Sequence, residues 1–375
     1  MKNATATYLY GPSGGLLDSD ADEQKVAEWA LGNCSGGTIV FKVATYSLVG
    51  LDEDSTGVFI VGESWDTIFS KDGNGDILTL SGSECQVWNI QFDGNKGSYS
   101  GDNVVLSGSR TRARNILSED ADEAAVEMSA AGGAFLSNSR LDHTSSVREA
   151  GTIGVEVTST AADNEIINCI ISECEKGIEN NGGTTRMTLN HIWGCTVGID
   201  LSPDNSRGEA WIGPANFIED NKQEAIRATG HTIYATTIQG NLIDGNCHDA
   251  GYSSIRMVVD DPYVLSGISI DWNMFDNVTY DHAVPQYHVY VEDGDGGADK
   301  DIAYFSIQGN NFFPEAISGY GGTWNATNPA VYFPDENTNY PSKISGNIGY
   351  DHAGETRFTG GNFQYYNGTD WVTIS

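Results

Sequence analysis

Positive charge is what this sequence has least of. Lys and Arg number 19 against 52 Asp and Glu, a formal net charge of −33 at pH 7. A duplex-tracking nucleic-acid binder needs a cationic footprint, so no nucleic-acid partner is expected. Docking of the surface on anionic lipid is disfavoured on the same ground. Long apolar runs are missing too: none reaches the roughly 18 residues of a transmembrane helix, and no membrane insertion is expected. The opening MKNATATYLYGPSGG has no extended apolar stretch and reads as lacking a secretory signal. Cysteine is sparse and scattered, at Cys34, Cys85, Cys169, Cys174, Cys195 and Cys247. That spread gives neither a disulfide scaffold nor paired zinc ligands, so buried free thiols are the expectation. Nucleophile elbow, phosphate loop and dinucleotide fingerprint are all absent.

What is present argues for a folded chain. Hydrophobic residues make up 39%, aromatics 10%, and Gly accounts for 45 of the 375 residues. A disordered acidic tail has no such stock of core residues. An acidic, Lys-poor and core-rich composition fits a protein kept soluble at high salt, where self-repulsion is screened. The sequence therefore predicts a halophilic source.

A short phrase recurs along the chain. It reads NCIISECEKGI from Asn168, NHIWGCTVGI from Asn190, NFIEDNKQEAI from Asn216 and NLIDGNCHDAG from Asn241, with looser copies from Asn273 and Asn311. The spacings are 22, 26, 25, 32 and 38 residues. Two positions after each Asn stands Ile170, Ile192, Ile218, Ile243, Phe275 or Phe313. A repeat of this length with a stacked Asn and a stacked apolar residue describes a parallel β-helix. NIQFDGN from Asn89, NILSED from Asn115 and NSRLDH from Asn138 read as earlier, degenerate coils. The widening spacing after Asn241 predicts loops protruding from the later coils, where binding on a rigid scaffold usually resides.

The two ends differ from the middle. Ser19 and Asp22 read as a capping box before EQKVAEWAL, a short helix with Val26, Trp29 and Ala30 on its apolar side and Gly32 at its stop. Such a helix would shield the open solenoid end. After about Tyr340 the repeat disappears, and Asn367-Gly368 is a hairpin signal inside FQYYNGTDWVTIS. Three segments are expected: residues 1–35 as an N-terminal segment with its helix, 36–335 as the β-helix, and 336–375 as a small antiparallel β-unit.

The phrases DSDADEQKVAEWAL, GGTIVFKVATYSL, GVFIVGESWDTIFS, ILTLSGS and NIQFDGN, between about Gly11 and Asn95, resemble the entry of the pectate-lyase-like superfamily of right-handed parallel β-helices. One departure is Lys42-Val43-Ala44, where the family commonly has Pro-x-Gly before the Thr-Tyr pair. The resemblance implies an all-β, right-handed solenoid. It also implies a choice among polysaccharide lyases, glycoside hydrolases and the tailspike or tail-fibre proteins of viruses. The YYNGTDWVTI ending resembles terminal β-units of virion fibres, and together with the missing signal it tilts the expectation to the viral branch. That expectation is a tailspike- or fibre-like virion protein of a halophilic virus, a homotrimer touching other virion proteins and binding a host surface glycan or glycoprotein. The alternatives are a secreted lyase or hydrolase acting on an acidic polysaccharide, and a purely structural capsid decoration.

Four groups of residues carry candidate chemistry. Glu219, Asp244 and Asp276 stand three positions after their Asn and would stack as a column. Such a column reads as a glycosidase carboxylate pair, as a Ca²⁺ site or as a solvated acidic ridge. Arg110, Arg112 and Arg114 alternate in SRTRARN and suit a carboxylated or sulfated glycan, or else pair with Glu119, Asp120, Asp122 and Glu123. The loops DGNGD from Asp72 and DGDGGAD with Asp293, Asp295 and Asp299 offer oxygens to Ca²⁺, or are ordinary turns. Trp272, Tyr287 and Tyr290, with Tyr280, Trp324 and Tyr332, are platforms for sugar faces or protein contact, or belong to the core. His231, His248, His282 and His288 have no metal-ligand spacing and read as polar surface groups.

Overall fold

The computed structural model describes residues 7–10, 16–20, 22–143, 149–203, 208–230, 232–259, 262–276, 285–293, 302–312, 331–332, 343–347, 356–359, 362–366 and 371–374. The architecture is the right-handed parallel β-helix that the repeat predicts. By internal contacts the chain divides into two compact units, Met1–Glu179 and Asn180–Ser375.

In the first unit each coil carries three short strands. Phe59–Gly62, Thr67–Lys71 and Leu78–Leu80 make one coil. Gln86–Trp88, Gln91–Asp93 and Val104–Leu106 make the next, and Thr111–Arg114, Leu117–Glu119 and Ala124–Met128 the third. Each strand pairs in parallel with its counterpart one coil away, so that Phe69, Phe92, Ser118, Leu141 and Ile171 fall in one register. Side chains alternate between faces along a strand, so this register stacks inward residues into a continuous core. Phe41, Phe69 and Phe92 stack edge to face there, with centroids 4.8 and 5.6 Å apart. Lys71 is buried as well, with its ammonium on the carbonyls of Ser100 (3.2 Å) and Gly101 (2.7 Å) and its pKa lowered by burial.

Helix α1 (Glu23–Gly32) covers the first coil with Val26, Ala27, Ala30 and Leu31. Its N-cap is Asp22 itself, whose carboxylate accepts the Lys25 N–H. Ser19 lies in the strand Leu16–Asp20, so the capping box expected one turn earlier is not formed. Gly32 is the last helical residue, and Asn33 closes the end by donating its amide to the Trp29 carbonyl at 2.8 Å. Two residues of α1 act in place of a missing strand. Glu23 accepts the Ser47 N–H (2.7 Å), while Gln24 accepts the Val49 N–H (3.0 Å) and donates to the Gly50 carbonyl (2.5 Å). Backbone groups left open at the first coil are thereby satisfied.

From the coil that begins at Gln86–Trp88 onward, one corner of each described coil holds a left-handed residue. In the first unit Asn89, Asn115, Asn138 and Asn168 supply it, with φ between 51° and 56°. Asn tolerates this region better than other non-glycine residues. Their amides bond pairwise at the surface, Asn115 to Asn89 and Asn168 to Asn138, each at 2.7 Å. In the second unit the same corner holds Leu189, Ala215, Gly240, Trp272, Gly309 and Gly346. Asn has moved one residue on and inward, to Asn190, Asn216, Asn241, Asn273, Asn310 and Asn347. Each Oδ1 from Asn216 onward accepts the backbone N–H and the amide of the Asn one coil before. From Asn216 onward each amide also donates to a carbonyl of the preceding coil. Asn221 and Asn246 begin a second buried ladder, 2.7 Å apart. The repeat phrase therefore merges two ladders. Ile171 and Phe312 continue the inward column, Ile170 is exposed, and Phe313 lies outside the described residues.

The second unit runs in coils such as Thr185–Thr188, His191–Trp193 and Val197–Leu201, then Ala210–Ile212, Phe217–Glu219 and Ile226–Thr229. Later coils each gain a two-residue strand, Ile233–Tyr234, Leu265–Ser266 and Ile302–Ala303, which pair into a fourth, short sheet. Phe275 and Phe312 stack at 4.8 Å beside His288. His288 is fully buried, which pushes its pKa down to about 3, and so it is not the surface group expected. His248 is also mostly buried, with Nε2 2.6 Å from Asp220. His231 and His282 lie outside the described residues. At the far end Thr356–Thr359, Asn362–Tyr366 and Trp371–Ile374 pair antiparallel, and Asn367-Gly368 between the last two lies outside the described residues.

Replacing Asn241 by Leu would strand the Ile212 carbonyl, the Asn216 amide and one Asn273 acceptor position. Each buried unpaired group costs about 1–3 kcal/mol. Urea unfolding of Asn241→Leu is expected to reveal a loss of about 3 kcal/mol or more, while Asn115→Ala, on the exposed ladder, loses about 1 kcal/mol or less.

Candidate functional site

The expected acidic column forms in the second unit. Trp193, Glu219 and Asp244 occupy consecutive strands in direct register, and Ile243 pairs with Phe275 so that Asp276 follows just past the strand end. Neighbouring strands lie about 4.8 Å apart, which sets the backbone spacing of Glu219 and Asp244. The sequence reading missed the residue that meets Glu219. His191 Nε2 lies 2.8 Å from Glu219 Oε1, and its ring stacks on Phe217 with centroids 4.9 Å apart and planes at 9°. His191 follows its Asn directly in the phrase NHIW, one position where the other copies carry apolar residues, and that exception was the available signal.

The three arginines separate. Arg112 and Arg114 stand on the strand Thr111–Arg114 and are both exposed, on the outward face as alternation requires. Arg110 sits in the turn before that strand at φ 60° and pairs with Glu84 at 2.6 Å. None of Glu119, Asp120, Asp122 or Glu123 holds Arg112 or Arg114, and among the described residues neither guanidinium has a carboxylate partner. Arg114 lies over the Trp88 ring at 5.5 Å, and Trp88 meets Phe59 edge to face at 6.0 Å. In register with Arg112 stand Gln86 and Phe135, and with Arg114 stand Trp88 and Ser137. Arg140, on the next coil, lies on another sheet, paired to Asp142 at 2.7 Å.

Other arginines serve the fold. Arg227 holds the buried Asp200 in a fork at 3.0 and 2.7 Å. Arg256 stands 3.7 Å from Glu224, a fully buried carboxyl whose pKa is raised by burial. Arg256 also lies 5.9 Å from the centroid of Tyr290. Tyr290 and Tyr332 stack at 4.9 Å with planes 8° apart, and Tyr287 leans on both. Three of the expected platform residues, Tyr287, Tyr290 and Tyr332, thus spend their faces largely on each other. Burial and the hydrogen bond to Glu292 raise the Tyr290 hydroxyl pKa.

Trp272 is different. It is 66% exposed and occupies a corner position at φ 58°. Tyr280 and Trp324 lie outside the described residues.

The loop DGNGD uses its oxygens on neighbouring chain. Asp72 accepts the Tyr99 hydroxyl, Asn74 the Ser100 N–H and Asp76 the Asp102 N–H, each at 3.1 Å. Of the second loop, Asp295 and Asp299 lie outside the described residues, and Asp293 ends the strand Val289–Asp293. Among the described residues no group of three or more His, Cys, Asp or Glu is set to hold a metal ion. The described cysteines are free thiols, and all except Cys34 are buried. No described helix is long and apolar enough to cross a membrane.

No protein-family model matches the chain, and no curated protein matches it by sequence. Solved structures match it by fold. The A-module of the mannuronan C-5 epimerase AlgE6 from Azotobacter vinelandii has a TM-score of 0.54 at 15% identity, over 88% of this chain and 94% of that one. The tailspike protein of Escherichia coli bacteriophage HK620, solved in complex with a pentasaccharide, has a TM-score of 0.58 at 11% identity, over 90% of this chain and 64% of the tailspike. An alginate lyase, AlyGC, has a TM-score of 0.53 at 13% identity, over 86% of this chain and 50% of the lyase. At these identities the likeness is one of fold.

Structural and free arginines separate by unfolding. Arg227→Ala removes both bonds of the guanidinium fork from the buried Asp200 and is expected to cost about 3 kcal/mol or more. Arg112→Ala and Arg114→Ala are expected to change stability by no more than about 0.5–1 kcal/mol, measured by urea denaturation.

Proposed function

We propose that the chain is a glycan-binding adhesin of tailspike or fibre type, gripping a carboxylated or sulfated surface glycan through Arg112 and Arg114. One observation carries the reading. In a chain with 52 acids and 19 bases, two adjacent exposed guanidiniums remain without a carboxylate partner among the described residues. Planar forks of this kind bind carboxylate and sulfate bidentately. Trp88 beneath Arg114 lends it a hydrophobic base, and the parallel backbone holds the row rigid. The tailspike with a bound pentasaccharide is a protein of this fold, which supports the class of ligand. The reading extends to a virion location, a homotrimer with other virion proteins as neighbours, and a halophilic virus as the source of the acidic surface.

A second reading, polysaccharide cleavage, has one observation in its favour: Glu219 and Asp244 stand in direct register with His191 bonded to Glu219. Carboxyls about 5 Å apart suit a retaining glycosidase, in which one attacks the anomeric carbon and the other protonates the leaving oxygen. His191 would fix the orientation of Glu219.

Both readings are tested on a panel of acidic polysaccharides at high salt, following binding by calorimetry and turnover by reducing ends and unsaturated-uronate absorbance. The adhesin reading expects binding without turnover, weakened tenfold or more in the double variant Arg112→Ala/Arg114→Ala, about 1.4 kcal/mol. Undiminished binding in that variant would sink it. Turnover that disappears in Glu219→Gln and in Asp244→Asn would establish the second. Salt adaptation predicts a Tm that rises as KCl is added from low ionic strength, and a flat or falling Tm counts against it.

A further inference from the structure

The second unit carries an exposed aromatic in a conformation that its side chain disfavours. Trp272 holds φ 58° at the corner where the other described coils of this unit place Leu189, Ala215, Gly240, Gly309 and Gly346. Left-handed backbone is uncommon for bulky residues, and retained strain of this kind points to a use for the side chain. Trp272 is the most exposed large hydrophobic residue among those described, at 66%. Its ring is nevertheless held. A Cβ on Gly309, one coil on, would lie 2.6 Å from Trp272 Cε3, so the indole rests directly on the glycine backbone. That contact fixes the ring while most of the residue remains open to solvent.

The residues beside it are polar and preorganised. Asp271 accepts from Ser306 Oγ at 3.1 and 3.2 Å, from the Gln308 N–H at 2.8 Å and from Ser269 Oγ at 2.5 Å. Gln308 donates to Ser306, and Ser345 donates to Gln308 at 3.4 Å. Gln239 stands in register with Asp271 on the other side. A fixed indole beside a row of amide, hydroxyl and carboxylate groups matches a ligand that has an apolar C–H face and a rim of hydroxyls. Charge narrows the class. Asp271 adjoins the ring in sequence, whereas Lys343 stands in register with Ser306, two coils beyond Ser269 and off the Asp271–Gln308 row. An anionic sugar would meet the carboxylate first.

We infer that Trp272, with the Asp271–Ser306–Gln308 row, is a subsite for an uncharged pyranose, the indole stacking on the sugar face and the row bonding its hydroxyls. This rests on the glycan-binding reading and adds to it a neutral sugar, recognised apart from the acidic groups assigned to Arg112 and Arg114.

The test uses the full chain labelled with 5-fluorotryptophan. The Trp272 resonance is assigned by its loss in Trp272→Gly, a substitution that suits a positive φ. The probes are the methyl glycosides of glucose, galactose, mannose, rhamnose and N-acetylglucosamine, with methyl glucuronide and methyl galacturonide as charged comparators. At least one neutral glycoside is expected to shift the Trp272 resonance saturably while the uronides do not, and Trp272→Gly is expected to keep or raise the Tm. The shift is expected unchanged in Arg112→Ala/Arg114→Ala, so failure here and failure at the arginine pair are read separately. The inference is overturned if no neutral glycoside moves the resonance or if a uronide moves it as far. A fall in Tm of more than about 4 °C in Trp272→Gly would overturn it in favour of a packing role. A change in oligomeric mass of that variant would overturn it in favour of contact with a second copy.

Discussion

The outward rows of the described coils are positioned by the parallel backbone register. Each strand bonds to its counterpart one coil away without slippage across the described pairs, so a residue's neighbours along the axis are fixed by its place in the repeat. The inward residues become a core column, and the outward ones become rows. Glu219 beside Asp244 and Arg114 beside Trp88 are consequences of that one rule. A slip of a single residue would turn every side chain of a strand to the other face. The left-handed corner recurs at the same place from coil to coil and marks that register.

Much of this was legible in the sequence, and the errors have a common physical origin. The solenoid, the inward column and the acidic column all follow from recurrence. The register was read one residue out at Asn168 and Asn311, because Asn serves two purposes here. It is a left-handed corner in the first unit and a buried amide ladder in the second. Both uses leave the same letter within one residue of the same place. The helix cap was placed at Ser19 because spacing alone fits a capping box there, but Ser19 is committed to a strand and Asp22 does the work. The fates of the arginines were not legible at all. Acidic neighbours in sequence, Glu119 to Glu123, predicted ion pairs, yet strand alternation and the following turn send those side chains elsewhere. His191 found its partner 28 residues away, across a coil.

The distribution of scarce positive charge is informative. Arg227 and Lys71 are used inside, against a buried carboxylate and backbone carbonyls, where removing either would cost buried hydrogen bonds. Lys42, Arg110 and Arg140 each hold a neighbouring carboxylate. Arg112 and Arg114 serve neither purpose. In a chain where acids outnumber bases so heavily, a cation without a carboxylate is the exception, and two such cations side by side make a surface with a local character opposite to that of the whole.

The buried amide ladder also bears on how such a chain changes length over time. From Asn216 onward each Asn receives the same two bonds from the coil before and gives the same bonds to the coil after. A coil is therefore a closed transaction with its neighbours, indifferent to how many others lie beyond. Duplication of one repeat unit inserts a further rung and leaves every existing rung intact. The reach of the molecule can thus grow or shrink in steps of about 4.8 Å, one strand spacing at a time. Side-chain rows on the outer faces travel with their own coils and keep their local geometry while the scaffold lengthens.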